Sequence, residues 1–266
     1  MKETTYQIYD KIFKRVLTLS AKAVVNLING LFNTDYPENS TVDYQWTEFE
    51  NNKLKKTLAD TIVIVNKKYS YHMEAQMTED EEIVFRVFDY SYAHAERNRM
   101  IKQDTYILPF PEPVIIYLNE ASHTPDEVSL QLDFGKQGSF TYHVKTFKYQ
   151  EISLEELNRK KLIILIPFQL LKVRKLMQKE RSEKNLNLLK KIIFDDIIGS
   201  IGINVKAGNI TEYDAGRLRR MTKALYDYLY SHYEETEELS MLTDESIIFD
   251  IDLIEPNHAY CVIALS

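Results

Sequence analysis

The sequence predicts an α/β fold with a mainly helical C-terminal extension. The chain opens on apolar side chains at helical spacing, and short strand-length runs separated by turn residues follow up to Gln76. A second helical pattern then leads into Val114-Ile115-Ile116-Tyr117-Leu118, an apolar run of strand length that calls for cover on both faces. The order is helix, three strands, helix, strand, and from Pro167 onward the periodicity is mostly helical.

Residues 6 to 32 carry apolar groups at Ile8, Ile12, Phe13, Val16, Leu17, Leu19, Ala23, Val24, Leu27, Ile28 and Leu31, the spacing of one long helix with a broad buried stripe. Asp10 and Lys14 stand four apart on it, the spacing of a surface ion pair worth about 0.3 to 0.5 kcal/mol. Pro37 breaks the pattern, and Thr41 to Phe49 alternates as a strand with Glu48 near its end.

Residues 58 to 76 organise the rest. Two apolar runs flank Asn66-Lys67-Lys68, one opening on Asp60 and the other closing on Glu74-Ala75-Gln76, which reads as a hairpin. A three-residue loop pairs Val65 with Tyr69 and sets Asp60 opposite Glu74. A two-residue loop at Lys67-Lys68 pairs Asp60 with Ala75 and turns the carboxylates to opposite sides, and the sequence alone does not choose. Opposed carboxylates destabilise a sheet unless a cation sits between them. Ser70, His72, Glu74 and Gln76 share one strand face, which by itself also describes an ordinary solvated face.

Thr78-Glu79-Asp80-Glu81 reads as a capping box, so a helix is expected to start just past Gln76 and to run to about Met100, with Arg86 and Tyr90 one turn apart on a stripe beside its inward face. Pro109, Pro111 and Pro113 close the next loop. Strands at Val128 to Phe134 and Phe140 to Phe147, a short helix near Leu154 to Asn158 and the apolar run Leu162 to Ile166 follow. The organisation expected is a first domain over 1–166 and a helical extension over 167–266, interrupted between Gly199 and Gly208, acid-rich over 233–246 and with strand-like runs near its end.

The chain has 266 residues, a formal net charge of −7 and one cysteine, Cys261, so no intrachain disulfide can form. A reducing, cytoplasmic setting is expected, since no run approaches the length of a membrane span. The acidity argues against whole-surface polyanion binding, and the six histidines lack zinc-ligand spacing. A local basic excess exists nonetheless: Lys172 to Lys191 carries eight Lys or Arg against two Glu, or +6, and Arg217, Arg219, Arg220 and Lys223 form a second group. Solvated helix faces often look like this, and so do phosphate-contacting ones.

Taken in order, Asp10-Lys11-Ile12-Phe13-Lys14, Leu58-Ala59-Asp60, Met73-Glu74-Ala75-Gln76, Arg86-Val87-Phe88-Asp89-Tyr90 and Pro113-Val114-Ile115-Ile116 resemble the motifs of the PD-(D/E)XK nuclease superfamily, within it most nearly the transposase-associated, recombination-promoting nucleases. The resemblance covers roughly residues 6 to 119. It implies a restriction-endonuclease-like αβββαβ core, a mixed central sheet flanked by helices, and Mg²⁺- or Mn²⁺-dependent hydrolysis of DNA tied to transposition or recombination. It further implies that Asp60 and Glu74 hold the metal, that Gln76 stands where the pattern usually has Lys, and that Ala59 stands where it has Pro. By the same resemblance Lys14, Arg86 and Tyr90 are candidates for phosphate contact, and Asp10 or Glu48 for an additional carboxylate. An amide cannot act as a charged proton-transfer group, although it can orient water. The other expectation is therefore a catalytically degenerate nuclease fold that binds nucleic acid or a protein partner; an oligomer is compatible with either.

Overall fold

The computed structural model describes residues 5–49, 57–77, 80–119 and 124–230, and within them the side chains of 5–8, 10, 46–49 and 57–60 lie outside the description. Helices α1 (Thr5–Val16) and α2 (Ala21–Phe32) precede strands β1 (Val42–Phe49), β2 (Thr57–Val65) and β3 (Tyr69–Gln76). Helix α3 (Ile83–Arg97) leads through the small pair β4 (Met100–Lys102) and β5 (Thr105–Ile107) into β6 (Glu112–Tyr117), then β7 (Glu127–Asp133) and β8 (Ser139–Lys148). After these come α4 (Leu154–Arg159), a 3-10 segment over Ile163–Val173, α5 (Arg174–Lys179), α6 (Glu183–Lys191), a π-helical stretch over Ile192–Ile198, α7 (Gly199–Lys206) and α8 (Glu212–Tyr230).

The protein is α/β, with a mixed six-stranded sheet in the order β1-β2-β3-β6-β8-β7. The β3–β6 and β6–β8 pairs are parallel and the others antiparallel. Parallel pairing of β3 with β6 follows from the intervening α3, because a crossover returns the chain in the same direction. A large core on one side collects α1, α2, Met73, Ile116, the 3-10 segment and the later helices through Tyr230. A smaller one on the other side packs Ile83, Val84 and Val87 of α3 on Ile115, Tyr117, Tyr142 and Val144. Strand β6 feeds both, which explains its unbroken apolar run. No helix of the described residues is long and apolar enough to cross a membrane.

Several local expectations are corrected. The single helix over 6–32 is two, because the chain turns after Val16 and Ser20 caps α2 by accepting a hydrogen bond from Ala23 N at 3.3 Å. The apolar stripe runs on in phase across that turn, so spacing alone hides it. Helix α3 begins at Ile83 rather than just past Gln76, and its start is organised by Asp80, whose Oδ1 accepts from Glu82 N at 3.0 Å. Thr78 and Glu79 of the expected capping box lie outside the described residues. The helix stops at Arg97, ahead of a hairpin that was not expected. Leu162–Ile166 enters a 3-10 segment, and Gly199 to Lys206 is helical rather than an interruption. The acid-rich stretch 233–246 and the runs beyond it also fall outside the description.

Candidate functional site

The β2–β3 register selects one of the two hairpin alternatives. Val65 pairs with Tyr69 and Thr61 with Met73, across a turn in which Asn66 and Lys67 have φ of 53° and 54°. Left-handed backbone suits Asn, and its side chain is held in place by accepting from Thr41 N at 3.0 Å. Carried one residue further, this register sets position 60 opposite Glu74. On its other edge β2 meets β1 irregularly: Trp46 pairs with Thr61 and Glu48 with Leu58, so Ala59 and Asp60 together oppose Thr47. Such bulges re-aim a strand locally and recur beside active sites. The side chains of Asp60, Glu48 and Asp10 lie outside the described residues.

Strand alternation divides β3 between the two cores. Tyr71 and Met73 enter the larger one, whereas His72, Glu74 and Gln76 turn to the side covered by α3. Glu74 is 2% exposed and is held by several donors on a single oxygen. Gln76 Nε2 donates to Oε1 at 2.7 Å, and Arg86 approaches the same atom with Nε at 3.1 Å and a terminal nitrogen at 3.0 Å. The other terminal nitrogen of Arg86 donates to Asp80 Oδ2 at 3.0 Å. Burial acts to lower the Arg86 pKa, but the Glu74 and Asp80 carboxylates outweigh it and raise it above the ordinary value.

Gln76 thus spends its amide nitrogen on Glu74, and the oxygen is the end suited to accept a hydrogen bond from water. Asp80 is a member of the cluster that sequence reasoning placed only in a capping box. Its six-residue offset from Arg86 gave no sign of it, because the two meet across the helix start.

Beneath this cluster runs a chain of buried polar groups. His72 is fully buried and its Nδ1 lies 3.0 Å from Ser91 Oγ, to which Tyr142 Oη donates at 3.2 Å. The Tyr90 ring sits edge-on to His72, with centroids 6.1 Å apart, so Tyr90 is buried in this layer. His94 joins Gln45 Oε1 at 2.5 Å through Nδ1 and Ser70 Oγ at 3.1 Å through Nε2. The Gln45 contact makes Nδ1 the donor, which leaves Nε2 to accept from Ser70. Burial pushes His72 down to about 3, with His94 and Arg86 adding to the depression. Burial also lowers His94, with Arg97 adding.

The structure therefore brings Glu74, Gln76 and Arg86 together and sets Tyr90 one turn further along α3. Lys14 is half-buried on α1, which packs into the larger core on the opposite side of the sheet. Among the described residues no group of three or more His, Cys, Asp and Glu side chains is placed to hold a metal ion. Comparison of the chain with protein-family models, with curated proteins and with solved structures finds no match.

Proposed function

We propose that the protein is a metal-dependent nuclease of the PD-(D/E)XK type, built on a restriction-endonuclease-like core, that hydrolyses phosphodiester bonds in DNA. The observation that carries this reading is the hairpin register, which pairs Thr61 with Met73 beside the buried Glu74 and, if continued by one residue, brings position 60 opposite it. Two carboxylates on facing strand positions would repel each other, and a hard divalent cation relieves that repulsion. The order of two helices, three strands, a helix, a small hairpin and a strand parallel to β3 supports the reading as well.

Asp60 and Glu74 would hold Mg²⁺ or Mn²⁺, and carboxylate oxygens are the donors such ions take. When bound, the metal supplies Lewis-acid polarisation of the phosphate and a more acidic water. Arg86 and Gln76 fix the Glu74 carboxylate through Oε1, so that it does not have to be ordered when a ligand arrives. The Gln76 amide oxygen orients a water molecule, and it cannot take the water's proton as a basic side chain would.

The test is cleavage of supercoiled plasmid with Mg²⁺, with Mn²⁺ and with EDTA, beside Asp60→Ala and Glu74→Ala. Nicking that needs metal and disappears in both variants is expected. The second reading is a nuclease fold that binds without cutting, and the direct Arg86–Glu74 ion pair favours it, since that pair partly neutralises the carboxylate a metal would use. Absence of cleavage by folded protein with both metals, together with retained DNA binding, would establish that second reading.

A further inference from the structure

Asp80 lies outside the nuclease-like motifs of the sequence, yet it closes a chain of three charged side chains around the candidate metal carboxylate. Glu74 on β3 is nearly buried, and Arg86 on α3 brings two donors to its Oε1, Nε at 3.1 Å and a terminal nitrogen at 3.0 Å. The other terminal nitrogen of Arg86 donates to Asp80 Oδ2 at 3.0 Å. Asp80 is itself fastened twice to the start of α3. Its Oδ1 accepts from Glu82 N at 3.0 Å and its carbonyl oxygen from Ile83 N at 3.1 Å.

Arginine and a carboxylate often meet through two parallel bonds, a fork of two N–H groups on two oxygens. Here the two donors converge on one oxygen, which Gln76 Nε2 also reaches at 2.7 Å. The nitrogen tied to Asp80 accounts for the difference, because a guanidinium is rigid and planar and a hold on one corner restrains the other two. The charges point the same way. Two carboxylates and one guanidinium leave the trio at −1, so an attraction for a further cation remains, whereas Glu74 and Arg86 without Asp80 would be a neutral pair.

We infer that Asp80 is a positioning residue for the metal site: by holding Arg86 it keeps the guanidinium on one oxygen of Glu74 and draws part of its charge away. An incoming divalent cation then competes with Arg86 for that oxygen alone. The role rests on the nuclease reading, in which Glu74 holds the metal. Without Asp80 the arginine turns into the two-oxygen fork, and the cation competes with it for the whole carboxylate.

Calorimetric titration of the full chain with Mn²⁺, in the absence of DNA, tests this. The wild type is expected to bind the ion and Glu74→Gln to lose it. Asp80→Asn, which keeps an oxygen for Glu82 N, should weaken binding about tenfold. Arg86→Gln should bind at least as tightly as the wild type, and Asp80→Asn added to it should change the affinity by less than about threefold. Damage to the helix start would weaken binding in both backgrounds, and only loss of a competing arginine rescues it. Circular dichroism checks that each variant is folded, and Arg86→Met is a second neutral background. An equal loss in both backgrounds would overturn the inference, because Asp80 would then act on the ion by its own charge. An Asp80→Asn protein that binds like the wild type would overturn it too, as would binding by Arg86→Gln but not by the wild type. In these three results the nuclease reading stands as long as binding still needs Glu74. Absence of Mn²⁺ binding from wild type and Arg86→Gln alike, or binding indifferent to Glu74→Gln, would overturn that reading and the role of Asp80 together.

Discussion

Arg86→Ala strips the cation from the nearly buried Glu74 and from Asp80, and leaves a carboxylate with little access to water. Loss of a charged hydrogen-bonded partner at such a site costs about 1.5 to 3 kcal/mol, tempered here by the partial exposure of the arginine. Glu74→Gln removes the charge and keeps the shape, so its effect on stability should be the smaller one. Urea melts of the two variants, set beside plasmid cleavage, separate the roles: Arg86→Ala should lower stability more, and Glu74→Gln should abolish cleavage while the fold persists. His72 gives a second test. Its pKa in the fold is about 3 against an ordinary 6.5, so the folded state keeps it neutral while the unfolded chain takes up a proton. That contribution is intact above pH 6.5 and is lost as pH falls toward 3, at about 1.4 kcal/mol per pH unit. Between pH 6.5 and 4.5 the wild type should lose on the order of 3 kcal/mol more stability than His72→Gln. Parallel pH curves for the two proteins would refute this account.

At the scale of elements, Asp214 ties the α1–α2 turn to the start of α8. Its Oδ1 accepts from Ser20 N at 2.8 Å and its Oδ2 from Ser20 Oγ at 2.6 Å and Thr211 N at 3.0 Å. Burial opposes ionisation of Asp214, yet these donors hold its pKa below the usual carboxylate value. Asp214→Ala should cost about 2 to 3 kcal/mol, Ser20→Ala about 1 kcal/mol, and a double-mutant cycle should show coupling between them. Gly30 supplies the opposite kind of test. In an isolated helix Gly→Ala is favourable by about 1 kcal/mol, but here a Cβ would meet Lys160 O and Leu162 Cδ2, both at 2.6 Å. Gly30→Ala should therefore destabilise the protein, by about 1 to 3 kcal/mol. These contacts explain what was legible. The hairpin announced itself through Asn66-Lys67-Lys68 and through strand alternation, both local signals. The break between α1 and α2 did not, because the group that secures Ser20 lies 194 residues away. Asp80 escaped notice for a related reason, since helix α3 had to start at Ile83 before its carboxylate could face Arg86.

Across the whole molecule the mixed sheet and its flanking helices follow from the order of periodicities, but the distribution of the core does not. Sequence pattern changes character near Pro167, while Ile163 to Phe168 are buried in the same cluster as Phe13, Val24 and Met73. Tyr230 closes that cluster from the far end, its hydroxyl donating to Leu170 O at 2.6 Å. Helix α8 also meets α1, where Tyr9 and Tyr228 pack edge to face at 5.9 Å. Each completely buried aliphatic or aromatic side chain contributes about 1.5 to 3 kcal/mol, comparable with a sizeable share of the 5 to 15 kcal/mol that typically separates folded from unfolded states. Removal of everything after 166 would take away α8 and most of the 3-10 segment, which pack against α1 and α2 in the larger core. The full chain should accordingly melt in a single transition by fluorescence and by circular dichroism. A fragment ending at 166 should show the broad, non-cooperative melt of an incomplete core, and a sharp transition in that fragment would mean that the sheet and its first helices hold together unaided.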